Sequence, residues 1–223
     1  LGSGAAVTPC TDLNNDGQIT VTDAALINAC ALRGDNYTVQ GGGIHDYCSD
    51  LPQNITNIND SVSLRLGAIN HNDQTVVVEI SNPDCRVAAY QFTVSGLVLS
   101  QADNLIPTIE YPNAVQVNAA GTVISLTMQD SSIDKTLGWR PLARLHYSTI
   151  TGGQICIDQI VDIVNENYED VLHAIAGSCI VSVASAEPIG PYQVTVFPNP
   201  FDRSTTLQFE MASKEKYSLE LLD

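Results

Sequence analysis

Gln74-Thr75-Val76-Val77-Val78-Glu79-Ile80, the turn Asn82-Pro83-Asp84, and Val87-Ala88-Ala89-Tyr90-Gln91-Phe92-Thr93-Val94 decide how this chain is read. Two strand-like runs are parted by a proline turn. Before them stand the alternating Val62-Ser63-Leu64-Arg65-Leu66 and the turn Asn70-His71-Asn72-Asp73. A strand points successive side chains to opposite faces, so alternation marks a strand with one buried face. Working outward, further short runs occupy 114–117, 122–128, 143–150, 154–157 and 179–183, with turn residues between them. Regular short strands with turns argue for an antiparallel β-sandwich, of which a jelly roll is one version. The apolar residues of 155–164 suit a short helix or a buried strand, and periodicity alone leaves both open.

The 223 residues allow one large domain or two smaller ones. Lys plus Arg number 9 against 25 Asp plus Glu, a net charge of −16. Binding to nucleic acid or anionic lipid needs clustered cations, so this chain repels both. At 44% hydrophobic residues the chain can bury a core. No apolar run approaches the roughly 20 residues of a membrane helix. The chain opens on Leu1 without Met or a signal peptide, which reads as a processed or internal start.

Cys10, Cys30, Cys48, Cys85, Cys156 and Cys179 include no CxxC pair, which argues against a zinc ribbon. An even number in a Lys-poor chain suggests an oxidising compartment, with all six as disulfide candidates and reduced buried thiols as the alternative. About 15 full pairings are open. Cys156 with Cys179 is preferred, because both lie in strand-like runs near the end of one module.

The N-terminal part carries the sharpest motif. In Asp12-Leu13-Asn14-Asn15-Asp16-Gly17-Gln18-Ile19-Thr20-Val21-Thr22-Asp23, oxygen side chains stand at loop positions 1, 3, 5 and 12 and glycine at position 6. This is the spacing of an EF-hand-type calcium loop, with Asp in place of Glu at position 12. Calcium takes six to eight oxygens, so the expected ligands are the side chains of Asp12, Asn14, Asp16 and Asp23, the Gln18 carbonyl, and Thr20 directly or through water. The run from Ala24 to Leu32 is rich in helix formers, so Asp23 ends the loop and opens a helix.

This loop and its Ala/Leu-rich helix resemble a type I dockerin repeat. One repeat is present where that family carries two. The sandwich region resembles a cohesin in the order and pattern of Gln74–Ile80, Val87–Val94, Leu142-Ala143-Arg144-Leu145-His146-Tyr147 and Gly177-Ser178-Cys179-Ile180-Val181. The Tyr-Asp-Pro that usually follows the second of these is absent. After the linker Ala184–Pro191, the segment Phe197-Pro198-Asn199-Pro200-Phe201 and the strand patterns 205–210 and 217–221 resemble the start of the type A C-terminal sorting domain of the type IX secretion system.

The resemblances imply a mainly β chain. A dockerin-like, EF-hand-like calcium module spans 1–58, a cohesin-like jelly-roll sandwich 60–184, a linker 185–191, and a partial sorting-domain sandwich 192–223. They imply a secreted protein on the surface of a Gram-negative bacterium. Its partners would be copies of itself or cohesin- or dockerin-bearing surface proteins, with no nucleic acid and no transmembrane segment. Calcium is the one cofactor. A filament subunit is one form such pairing takes. The alternative is a carbohydrate-binding surface module, or an accessory module of a polysaccharide-degrading system, with polysaccharide as partner. Asp60-Ser61-Val62 fits a bacterial O-glycosylation pattern at Ser61. Asn36, Asn54 and Asn59 begin N-glycosylation triplets.

Catalytic patterns are sparse, so the expectation is a non-enzyme. His45, His71, His146 and His173 show no metal spacing, and no nucleophile elbow or phosphate loop appears. Asp158, Asp162 and Glu166 would share a face if their stretch were helical; paired carboxylates could then serve glycoside hydrolysis, but a solvated acidic face is their expected role. Trp139-Arg140, Tyr90 and Tyr147 could stack on sugars, with core or rim positions as the default.

Overall fold

Along 62–66 the alternation becomes burial. Val62, Leu64 and Leu66 are buried, while Ser63 and Arg65 face outward. The computed structural model describes residues 11–38, 42–48, 56–107, 115–127, 130–181, 194–197 and 206–209. In chain order they form α1 (Val21–Arg33), β1 (Tyr37–Thr38), β2 (Ile44–His45), β3 (Thr56–Asn70), β4 (Thr75–Asn82), β5 (Val87–Ser95), β6 (Leu97–Asn104) and β7 (Val115–Val117). Then follow β8 (Thr122–Leu126), β9 (Thr136–Ile150), β10 (Gln154–Asn165), β11 (Asp170–Ala176), β12 (Ile180–Val181), β13 (Val194–Phe197) and β14 (Thr206–Phe209). The chain divides into two units, 1–182 and 183–223.

In the first unit the strands run β6-β9-β4-β3-β11-β10-β5-β8-β7, with β12 pairing β10. β10 and β11 pair only at Val164↔Asp170, so the path folds over there into two layers. Leu64, Val78, Leu142 and Leu145 from one layer meet Phe92, Val123, Ile155 and Ile163 from the other in a single buried core. Pairing is antiparallel except between β11 and β3, which is parallel. The chain leaves β10 through a tight turn in which Tyr168 adopts φ 63°, and β11 then crosses to the other layer in the direction of β3. That one pair departs from the all-antiparallel expectation. Two glycines are required where layers and turns crowd. A Cβ on Gly96 would strike the Gln154 carbonyl, one on Gly121 the Val94 carbonyl, and both backbones are left-handed.

The stretch 155–164 is strand, not helix. It pairs with β5 through register shifts between Ile157 and Gln159 and between Ile160 and Asp162. The helical face expected for Asp158, Asp162 and Glu166 therefore does not form. Asp158 accepts from the Ser95 hydroxyl at 2.7 Å, Asp162 is buried, and Glu166 lies past the strand end and accepts from the Arg86 N–H at 2.8 Å.

Cys30–Cys48 and Cys156–Cys179 are disulfides with Cα separations of 4.8 and 4.3 Å. Cys85 is not bridged, contrary to its place among the candidates. It is buried in the main core, and burial, reinforced by the Asp60 and Glu166 carboxylates, pushes its thiol up to about 12. Cys10 lies outside the described residues. The second unit contains the antiparallel pair β13–β14, in register from Val194↔Phe209 to Phe197↔Thr206. The 217–221 pattern lies outside the described residues. Among those described, no helix is long and apolar enough to cross a membrane.

Candidate functional site

The loop before α1 closes on its own carboxylates. Asp12 is buried, and its two oxygens accept from the Asp16 and Gly17 N–H groups at 3.1 and 2.9 Å. Asp16 accepts from the Gln18 N–H at 2.8 Å and from the Asn14 amide at 2.9 Å. Gly17, at φ 89°, makes the sharp turn that brings these groups round. Asp23 has two roles. One oxygen accepts from the Leu13 N–H at 2.7 Å, which ties the loop's start to the helix, and the other accepts from the Thr20 N–H at 2.8 Å. The second contact is half of a capping box with Thr20 at the N-cap. The helix thus begins at Val21, three residues before the Ala/Leu run, and ends at Arg33 with Gly34 as its C-cap.

Asp12, Asn14, Thr20 and Asp23 are buried, and Asp16 and Gln18 are exposed at the loop tip. Among the described residues, no three His, Cys, Asp or Glu side chains are drawn together at metal-holding distance. By chemistry the six expected ligands are all oxygen, with no sulfur or ring nitrogen, and that donor set fits a hard divalent cation.

The loop and helix are seated on the outer face of the β10-β5-β8 layer. Val21, Ala25 and Ala29, all buried, pack with Tyr47 against Ala89 of β5, Val164 of β10 and Tyr168, and Ile124 and Leu126 of β8 close the edge. This cluster is separate from the main core. Polar contacts fix the register. The Val21 N–H donates to Gln91 at 3.0 Å, the Thr22 hydroxyl to Asp162 at 2.9 Å, and the Asn28 amide to the Thr127 carbonyl at 2.9 Å. Burial raises the Asp162 carboxyl above its ordinary range, against the pull of its threonine partners. Burial likewise raises Asp170 to about 6, helped by the Asp162 and Asp16 charges.

At the helix C-terminus Arg33 is held from every side. Its guanidinium lies 4.6 Å from the Tyr37 and Tyr168 ring centres and 5.3 Å from that of Tyr47. It pairs with Asp130 at 2.6 Å and donates to the Glu166 carbonyl at 2.8 Å. The Cys30–Cys48 bridge fastens Tyr47 to the helix, so this clamp belongs to the same element. Loop spacing pointed to none of Gln91, Asn28, Arg33, Asp130 and Asp162, because the contacts that give them their roles span 70 to 140 residues of sequence.

Ser61 lies on β3, where its hydroxyl donates to the Asp84 carboxylate. Tyr90 and Tyr147 are core residues, whereas Trp139 is 40% exposed.

No family model matches the chain, and no curated protein matches it. Among solved structures, a chain of a type I cohesin–dockerin complex from Clostridium thermocellum (Coh-OlpC–Doc435) overlays 53% of this chain and 90% of its own, at 7% identity and a TM-score of 0.38. A non-cellulosomal cohesin from the hyperthermophilic archaeon Archaeoglobus fulgidus overlays 56% of this chain and 95% of its own, at 18% identity and a TM-score of 0.36.

Proposed function

We propose that this chain is a secreted, non-enzymatic docking scaffold whose cohesin-like body receives a dockerin-like loop–helix element on one sheet face. The observation that carries this reading is the seating of Val21, Ala25 and Ala29 on β5, β8 and β10, with Gln91, Asp162 and Arg33 fixing the pose. The residue patterns of 74–80, 87–94 and 142–147 support the cohesin-like body. The two disulfides fit an oxidising, extracellular setting. Residues 192–223 are read as the start of a secretion sorting domain, and Ser61 as a glycan acceptor.

Calcium belongs to the proposal. Asp12, Asn14, Asp16, Gln18, Thr20 and Asp23 would hold it, and the ion would supply a positive centre that neutralises carboxylates crowded near the helix N-terminus. The same docking contact made between copies would be heterologous, and such contacts propagate into filaments unless rotation closes a ring.

Mass action supplies the test, since a ligand that binds only the folded state stabilises it. Chelation is expected to lower the melting temperature of the wild type and to speed amide exchange in Val21–Arg33, with Asp16→Ala little affected by the chelator. An equal response in both proteins would overturn the calcium assignment.

A further inference from the structure

The layer that does not carry the loop–helix element has its own concave surface. On the outer face of β3, β4 and β9, Ala68, Thr75 and Val77 floor a hollow of about 430 Å3, walled by Asn70 and Asp73 on one side and Arg144 and His146 on the other. Sites for small ligands span roughly 300–1,000 Å3.

Its polar groups are of complementary kinds. Asn70 is spent on the turn, with its amide donating to Asp73 at 2.8 Å and its carbonyl accepting from the Asn72 and Asp73 N–H groups at 3.0 and 3.1 Å. This holds the Asp73 carboxylate in place and leaves its second oxygen to accept from a ligand. Across the hollow, the His146 ring meets Asp103 at 2.8 Å, while Arg144 stands 4.0 Å from the same oxygen and is 46% exposed. The Arg144 fork therefore keeps donors free. An acceptor faces donors across a floor that is apolar apart from Thr75, and a ligand hydroxyl can serve both, because it donates and accepts at once.

An aromatic platform adjoins the hollow. Val77 and Glu79 are successive outward positions on β4, about 7 Å apart. Glu79 accepts from Arg65 at 2.7 Å, and the Arg65 guanidinium lies 4.3 Å from the Trp139 ring centre. Trp139 is thereby fixed at 40% exposure, with Arg65 over one face of its ring. Asp73, Asp103 and the net charge of −16 disfavour an anionic ligand, and Arg65 and Arg144 disfavour a cationic one.

We infer that this hollow is a subsite for one sugar of a neutral polysaccharide, with Trp139 stacking on a neighbouring sugar of the same chain. Asp73 and Arg144 bind hydroxyls, and Ala68 and Val77 meet the apolar face of the ring. The site lies on the layer opposite the docking face and does not depend on the proposed docking function.

The full chain, with calcium present, would be screened on an array of neutral and acidic glycans, and a neutral hit measured by calorimetry. Arg144→Ala and Trp139→Ala are each expected to weaken binding roughly tenfold, from lost charge-assisted hydrogen bonds and lost ring contact respectively. Both side chains are exposed, so the melting temperatures should stay near wild type. Asp16→Ala is expected to bind the glycan as the wild type does, so loss of the calcium reading would leave this one standing. Three results would each overturn the inference: no neutral glycan bound, binding to acidic glycans alone, or neutral binding indifferent to Arg144→Ala.

Discussion

Asp170 shows how one side chain's setting reaches the behaviour of the fold. Burial, with Asp162 and Asp16 nearby, raises its carboxyl from the ordinary 3.8 to about 6. The native state therefore holds this proton more tightly than the unfolded state does. Its contribution favours folding most below the ordinary value and is lost as pH rises through about 6. Calcium would mask Asp16, so the measurement belongs in chelator. There, Asp170→Asn is expected to be more stable than wild type at about pH 7, by on the order of 2–4 °C, and to lose that advantage near pH 4. An advantage independent of pH would refute the assignment. The Gly17 turn and the helix that Asp23 opens were legible in sequence, because positions 12 to 23 are tied by the geometry of one loop. Asp162 was read as a solvated acid, with a catalytic carboxylate pair as the alternative, because its burial arises when β10 and α1 meet 140 residues apart. Arg33 carried a faint signal as a cation in a cation-poor chain, but its tyrosines come from three separate segments.

At the scale of elements, the helix and the sandwich bury separate apolar clusters. A change in one should leave the other standing. Ala25 is fully buried where α1 meets the sheet, and a carboxylate there would be left without a partner, at a cost of several kcal/mol. Ala25→Asp is expected to release α1, so that Val21–Arg33 amides exchange quickly while those of β4, β5 and β9 stay protected. Loss of protection in all of them together would mean that helix and sandwich fold as one cooperative unit. Element by element, legibility followed periodicity. β3 alternates from Val62 to Leu66 and was read there, while β4 and β5 were read as β-branched or apolar runs set off by turns. β10 was ambiguous, because its bulges break the period of two. β6 and β11 were missed. The second half of β6 is polar, and in β11 Leu172 and Ile175 are exposed, which blurs any one-faced pattern.

At the scale of the whole molecule, the face proposed for docking is covered by α1 of the same chain, and this governs how copies could assemble. A contact made within one chain competes with the identical contact from another copy at an effective concentration, of millimolar order for short connections. Exchange between copies gains no new contacts, so mass action alone favours it only when protein concentration approaches that value. The purified full chain is therefore expected to be monomeric by light scattering at micromolar concentration. Oligomers through this face should grow in only toward the millimolar range. A net charge of −16 adds repulsion between copies, so raising salt should lower that threshold. Ala25→Asp weakens the contact within a chain and between chains alike, and should abolish the high-concentration oligomers rather than promote them. Assemblies that form at micromolar concentration and survive Ala25→Asp would place the self-association on another surface. The loop–helix element would then be an internal brace of one subunit, with no part in joining subunits.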